Sequence, residues 1–104
     1  MTDNRRSSTR HTVSIDSQLM IGDGKTIDAK MVNLSLGGAL IELPQKLPMG
    51  SRLTIKFRVP AAEDPIDIGA TVRWSDAKGV GIQFDGLRAR DVWALNELFK
   101  QLGS

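Results

Sequence analysis

The sequence predicts an all-β barrel of six antiparallel strands followed by one C-terminal helix. Apolar and polar residues alternate with a period of two over six short segments between residues 12 and 84. Turn-forming residues separate these segments. Residues 87–102 instead carry apolar residues at helical spacing and contain no proline or glycine. This combination is typical of a closed or nearly closed barrel with a helix packed on it.

The first two predicted strands form a hairpin. Alternation runs over residues 12–21, an Asp-Gly turn signal follows at residues 22–25, and the return strand begins at Ile27. At Val32 the apolar residues move from odd to even positions, which predicts a bulge, a turn or a strand end. After two glycines the odd phase resumes, and a third strand is predicted over residues 39–43.

The rest of the barrel alternates more regularly. Further strands are predicted at residues 53–59, 66–75 and 80–84. The apolar face of the helix comprises Val92, Leu95, Leu98, Phe99 and Leu102. The expected organisation is therefore one barrel domain over residues 12–104, with its helix at about residues 87–102.

Length and composition limit the possible classes of protein. The chain has 104 residues, of which 40% are hydrophobic and 25% charged, as in a single soluble domain. Cysteine is absent, which excludes disulfides and thiolate metal sites. No apolar run approaches the roughly 20 residues that cross a bilayer, and the N-terminus lacks a secretory signal. We expect a cytoplasmic location without membrane insertion.

Positive charge is concentrated at the N-terminus. The net charge is only +2, but Arg5, Arg6 and Arg10 all lie within the first ten residues. Residues 1–11 show no periodicity, so we expect a flexible basic arm that orders only against the barrel or a ligand. A guanidinium matches both phosphate oxygens and the O6/N7 edge of guanine. The alternative is a solvated basic tail.

A second unusual segment lies at the change of apolar phase. Asn33 and Ser35 are two residues apart, so in an extended chain their side chains point to the same side. Gly37 and Gly38 allow the backbone to turn and approach a ligand closely. The amide oxygen of Asn33 can accept a hydrogen bond from a guanine N–H. The alternative is a turn whose side chains bond only to their own backbone.

Catalytic and metal sites are not predicted. His11 is the only histidine, so a Ser-His-Asp triad would need a base from the arm. One histidine without cysteine does not provide the usual ligands of zinc. The Gly-Lys-Thr sequence at residues 24–26 resembles the end of a phosphate-binding loop, but a strand follows it rather than a helix. We expect no enzymatic activity and no cofactor.

The two unusual segments together resemble the signature of the PilZ domain family, R-R-x-x-x-R followed about twenty residues later by [D/N]-x-S-x-x-G. The matching residues are Arg5, Arg6, Arg10, Asn33, Ser35 and Gly38. Residues 70–74 and 79–84 also look like the late strands of the family, so the resemblance covers nearly the whole chain. It implies a six-stranded barrel that binds cyclic di-GMP (c-di-GMP) without catalysing a reaction.

The resemblance also implies a role for each matched residue. Arg6 and Arg10 would be the principal clamps on phosphates and guanine edges, with Arg5 assisting. The turn formed by Asn33, Ser35 and Gly38 would hold a guanine. Gly37 and Trp74 are further candidates for lining the ligand. For Trp74, the even phase that it shares with Ile68 and Val72 favours packing in the core instead.

The implied function is that of a receptor. Binding of c-di-GMP would draw the arm onto the barrel and signal to an unidentified effector protein in motility, biofilm or exopolysaccharide control. Asn33 stands where many strong binders have aspartate, which predicts weaker binding. A PilZ domain that acts as a protein–protein interaction module without the nucleotide is therefore the alternative. A nucleic-acid polymer is not an expected partner, because the aromatic residues fall mostly on buried phases.

Overall fold

The computed structural model describes residues 10–22, 24–43 and 46–102. Within them the elements are β1 (His11–Ile21), β2 (Lys25–Leu34), β3 (Gly38–Glu42), β4 (Arg52–Phe57), β5 (Ile66–Asp76), β6 (Gly79–Phe84) and α1 (Ala89–Gln101). Every pair of neighbouring strands is antiparallel, and the sheet closes in the order β1-β2-β3-β6-β5-β4. The predicted fold class, a six-stranded antiparallel barrel with a C-terminal helix, is confirmed.

β1 closes the barrel: a tight turn joins it to β2, and a short pairing joins it to β4. In the β1–β2 turn, Gly22 and Gly24 have φ angles of 58° and 96°, a region that favours glycine. Asp23, between them, lies outside the described residues. On its other side, β1 pairs with β4 only over residues 17–21. Beyond that stretch the two strands separate and leave an open groove.

The barrel interior holds the core, and α1 covers it. Leu19, Ile55 and Leu95 are completely buried. Three further helix residues, Ala94, Leu98 and Phe99, belong to the same buried cluster as the strands. These residues lie on one face of the helix, so the amphipathic helix predicted from the apolar spacing is confirmed. The prediction is wrong for Leu102, which follows the last residue of the helix and is 43% exposed. At the barrel end, the ring of His11 stacks on Phe99 with 4.1 Å between centroids.

Arg88 donates several hydrogen bonds at the start of α1. Its backbone N–H donates to Asp91 Oδ2 at 3.0 Å, and its Nε donates to the same oxygen at 2.8 Å. Its Nη2 donates to the carbonyl and to Oδ1 of Asp67, at 2.9 and 3.1 Å. The hydrogen bond from Arg88 lowers the pKa of Asp67, and the two carboxylates raise the pKa of Arg88.

The change of apolar phase at Val32 corresponds to a bulge. The register between β2 and β3 shifts between Met31 and Asn33, so β2 carries one extra residue there. The strand continues to Leu34 before the chain turns into β3. The bulge brings Asn33 to the corner where β2, β3 and the start of β1 meet, since its register partners are Thr12 and Leu40.

A second bulge, which the sequence did not predict, lies in β5. The register with β6 shifts between Val72, which pairs with Ile82, and Trp74, which pairs with Gly81. The extra residue reverses the inward and outward sides of the strand. Trp74 is consequently 39% exposed, and the prediction that it packs in the core is wrong.

Candidate functional site

The turn between β2 and β3 is shaped by Ser35. Its backbone N–H donates to the carbonyl of Gly38 at 2.9 Å. Its hydroxyl accepts from the backbone N–H groups of Gly37 and Gly38, at 3.1 and 3.2 Å, and lies 3.3 Å from the carbonyl that it donates to. The side chain is buried. In the described structure the hydroxyl therefore bonds to the backbone of its own turn.

The glycines of this turn have structural roles of their own. A Cβ on Gly38 would collide with the carbonyl oxygen of Ile82, because β3 approaches β6 closely at this point. Gly37 is exposed, and its carbonyl accepts from the backbone N–H of Phe84 at 2.9 Å. The turn is thus hydrogen-bonded to β6, which fixes where the corner lies on the barrel.

Asn33 carries an unsatisfied acceptor next to this turn. Its Oδ1 is buried and has no hydrogen-bond partner among the described residues. Buried polar groups are nearly always hydrogen-bonded, and an unpaired one costs about 1–3 kcal/mol. The corner therefore contains one acceptor that the described protein groups leave available.

A groove of about 380 Å³ opens in front of the corner. It is lined by Arg10, Ser35, Gly37, Gly38, Ala39, Arg73, Trp74 and residues 81–83. Of the sequence-predicted residues, Arg10, Ser35, Gly37, Gly38 and Trp74 are thus brought together. Asn33 lies behind the corner rather than on the lining, and the predicted Arg5 and Arg6 lie outside the described residues.

Trp74 lines one side of the groove. A Cβ on Gly81 would lie 2.9 Å from Cδ1 of the indole and would collide with its Nε1 and Cε2. The ring therefore lies over Gly81, where only glycine leaves it room. Because the side chain is still 39% exposed, part of the ring remains open to solvent. An aromatic ring held in this way is a suitable surface for stacking a base.

The groove is cationic. Arg10 and Arg73 are both exposed, and neither forms a hydrogen bond or ion pair with another residue that the structure describes. No carboxylate is among the lining residues in the described part of the chain. An anionic ligand would therefore not compete with a protein carboxylate for these guanidinium groups.

Sequence reasoning missed Arg73 and Gln83. Arg73 directly precedes Trp74 on the outward phase of β5, and its place in the groove depends on β5 lying beside β6. Gln83 is on the exposed phase of β6, a signal that was visible in the alternation. Its position in the groove depends on β6 lying between β3 and β5, which the local pattern does not show.

A larger groove, of about 920 Å³, lies where β1 and β4 separate. Its lining includes Asp16 and Asp28 together with Lys56 and Arg58, so the charges are mixed. Phe57, its aromatic residue, is buried. It contains none of the residues that the sequence predicted for binding. Charge and a stacking surface therefore favour the smaller groove despite its lower volume.

Comparison with known proteins identifies the family. The sequence model described as PilZ domain matches residues 4–101. The chain belongs to the PilZ domain family. The resemblance found in the two motifs is thereby confirmed, and the family is one of c-di-GMP receptors that are typically not catalytic. Comparison with curated protein sequences gave no significant match.

Three solved structures have a similar fold. The PilZ domain of CeSA from a cellulose-synthesising bacterium is 16% identical with a TM-score of 0.71, over 90% of this chain and 98% of that one. MotI/DgrA of Bacillus subtilis, an inhibitor of motility, is 23% identical with a TM-score of 0.75, over 95% of this chain and 51% of that one. The PilZ domain of YcgR from Escherichia coli, solved with c-di-GMP, is 17% identical with a TM-score of 0.67, over 93% and 91%.

These likenesses show the fold. The chain spans about half the length of MotI/DgrA, which therefore contains more than the part that matches. Within the described ranges, no helix of this PilZ domain is long and apolar enough to span a membrane. The same residues contain no group of three or more histidines and carboxylates that could hold a metal ion.

Proposed function

We propose that this PilZ domain is a c-di-GMP receptor and adaptor, and that its ligand binds in the groove between the Ser35–Gly38 turn and Trp74. The observation that carries the proposal is the content of the groove. A partly exposed indole and two guanidinium groups line the same groove, and neither guanidinium has a carboxylate partner among the described residues. The ligand offers guanine rings to stack and phosphates to neutralise, which is the complementary chemistry.

Each side chain then has a defined part in binding. Arg10 and Arg73 bind phosphate oxygens or a guanine edge, and a hydrogen bond to a charged group contributes about 1.5–3 kcal/mol. Trp74 stacks on a base, with a contribution of about 1–3 kcal/mol. Asn33 accepts from a guanine N–H after a rotation of its side chain, which satisfies the buried oxygen.

The N-terminal arm closes the site in this proposal. Arg10 lines the groove directly before β1, and the arm that carries Arg5 and Arg6 is joined to the groove through it. Binding orders the part of the arm before Arg10 over the groove, with Arg5 and Arg6 as further clamps, and changes the surface that a cytoplasmic effector protein contacts. The effector belongs to motility, biofilm or exopolysaccharide control, and the domain itself catalyses no reaction.

Calorimetric titration of the full chain with c-di-GMP tests this function. We expect micromolar or tighter binding of c-di-GMP and none of GMP at equal guanine concentration. Arg10→Ala should weaken binding by about 10- to 100-fold, because it removes about 1.5–3 kcal/mol of charge-assisted hydrogen bonding. Arg58→Ala, at an exposed arginine of the larger groove, is the matched control and should leave the dissociation constant unchanged.

A thermal-shift measurement checks the same point independently. At one hundred times its dissociation constant, a ligand adds about 2.7 kcal/mol to the free energy of unfolding. Folded protein that shows neither heat nor a shift in melting temperature with c-di-GMP would falsify the receptor function. Equal weakening by the Arg10 and Arg58 variants would place the ligand elsewhere.

One observation favours the alternative, an interaction module that does not depend on the nucleotide. The hydroxyl of Ser35 bonds to the backbone of its own turn, as in a purely structural corner. In that case a partner binds equally well with and without c-di-GMP, and Arg10→Ala has no effect on the complex. The titration above distinguishes the two functions.

A further inference from the structure

A large aromatic side chain of α1 faces solvent instead of the core. Trp93 is 57% exposed, whereas its neighbours Ala94 and Leu95 are buried against the barrel. Single exposed apolar residues are common on surfaces, but tryptophan is the residue most enriched at the energetic centres of protein interfaces. Trp93 is therefore a candidate centre of a protein interface.

Trp93 borders a groove of about 260 Å³ between α1 and the loop that joins β4 to β5. The groove has an apolar floor, since it is lined by the buried Ile66 and Ala94 and by the partly buried Pro65. The exposed carboxylates Glu63 and Asp64 line it on the loop side. It lies apart from the proposed nucleotide groove, with which it shares no lining residue.

The charges around this groove are not balanced. Asp91 and Asp67 are neutralised by Arg88, which lies 2.8 and 3.1 Å from them. Arg90 adds a second cation, with its Nε 3.9 Å from Asp91. The two carboxylates of the loop, by contrast, form no ion pair with any residue of the described ranges. Arg90 and Asp91 also line the groove and offset each other, so the two loop carboxylates leave the lining with a net negative charge beside the exposed indole ring.

This arrangement is complementary to a cationic side chain. A guanidinium or ammonium group is attracted to the face of an indole, and carboxylates next to the ring add charge-assisted hydrogen bonds. We propose that the surface formed by Glu63, Asp64 and Trp93, called here the helix surface, docks an arginine- or lysine-bearing segment of the effector protein. This inference rests on the adaptor function proposed above.

The fold connects the helix surface to the nucleotide groove. His11 directly follows Arg10 in the chain, and its ring stacks on Phe99 of the same helix that carries Trp93. A ligand that repositions Arg10 therefore acts on a residue in contact with α1. Docking on this helix gives the adaptor a surface that can respond to ligand binding in the nucleotide groove.

The chain contains two tryptophans, which allows the two sites to be followed separately. In Trp74→Phe, the emission of Trp93 alone reports on the helix surface. The probe is a blocked hexapeptide with two arginines separated by a leucine, and the control is the same peptide with neutral citrulline in place of arginine. We expect a saturable change with the arginine peptide, with a dissociation constant of about 1 mM or tighter, and none with citrulline.

Substitution of the loop carboxylates tests the site. Glu63→Gln combined with Asp64→Asn should weaken binding of the arginine peptide at least about tenfold, because both are exposed and only their charge is removed. Glu42→Gln, at an exposed carboxylate on β3, is the matched control and should bind as the parent does. Circular dichroism confirms that each variant is folded.

Three results with the peptides would overturn the inference. They are the absence of a saturable change with the arginine peptide, equal binding of the citrulline peptide, and full binding by the double variant. Sedimentation that shows a dimer lost in Trp93→Ala would also overturn it, since a second copy would then cover the surface. Calorimetry with c-di-GMP on the parent chain reports separately on the receptor function, so failure of one proposal is distinguishable from failure of the other.

Discussion

Arginine has opposite surroundings at the start of α1 and in the proposed nucleotide groove. Arg88 donates to two carboxylates and a backbone carbonyl of its own chain. Arg10 and Arg73 lie in a groove whose described lining residues include no carboxylate, and neither is paired with any other described residue. The first arrangement stabilises a helix end, while the second leaves positive charge for a ligand. The residue type alone does not distinguish the two roles, but the partners do.

The comparison depends most on the stacking surface that Trp74 provides in the groove, which Gly81→Ala should disrupt. The added methyl group displaces the indole of Trp74, so c-di-GMP loses a stacking surface and binds about 1–3 kcal/mol more weakly by calorimetry. The unfolding free energy should change by less than about 1 kcal/mol, because an exposed side chain can move aside. Gly86→Ala is the control, since its Cβ would meet nothing within 4 Å. Equal affinity in both variants would show that Trp74 does not contact the ligand.

Removing the carboxylate from the other region should affect stability and not binding. Asp91→Ala leaves the backbone N–H of Arg88 without its acceptor at the helix start, which should cost about 1–2 kcal/mol in urea denaturation. Glu97→Ala, later in the same helix, should cost less than about 0.5 kcal/mol because its ion pair with Lys100 is exposed. If Asp91→Ala weakened c-di-GMP binding as Arg10→Ala does, the two regions would not be independent.

The smallest expected effect is a dependence of stability on acid. Arg88 holds the pKa of Asp67 below its ordinary value, so the folded state favours the ionised carboxylate. The resulting stabilisation is present above the unfolded pKa of about 3.9 and is lost as the pH falls through the lower folded pKa. The stability difference between the parent chain and Asp67→Asn should therefore shrink below about pH 4 in denaturant titrations. A difference that does not vary with pH would contradict this role of Arg88.

Most of the fold could be predicted from local patterns. Strands with one buried face alternate with a period of two, and α1 places Ala94, Leu95, Leu98 and Phe99 on one face. The register change at Val32 was visible as a change of phase, because a bulge adds one residue and reverses the sides of a strand. Similar reasoning failed at Trp74. Val72 and Trp74 have the same parity, and the bulge between them leaves no trace in the alternation of such a short segment.

The sequence predicted some residues of the candidate site and missed others. The motif residues Arg10, Ser35 and Gly38 could be selected from the sequence, and the structure brings them to one groove. Arg73 and Gln83 could not be selected, since they join the groove only because β5, β6 and β3 are adjacent in the closed sheet. The sequence left open whether Ser35 faces a ligand or bonds to the backbone of its own turn. In the structure its hydroxyl accepts from the backbone N–H groups of Gly37 and Gly38.

Residue order was sufficient for the barrel class, the helix and the family, because periodicity and motif spacing are properties of neighbouring residues. Closure of the sheet decided which strands meet at the groove, and the bulge in β5 decided that Trp74 faces it beside Arg73. Both depend on pairing between residues distant in the chain, which is set by the packing of the whole barrel. The same packing decided which arginines found a carboxylate partner and which remained available to a ligand.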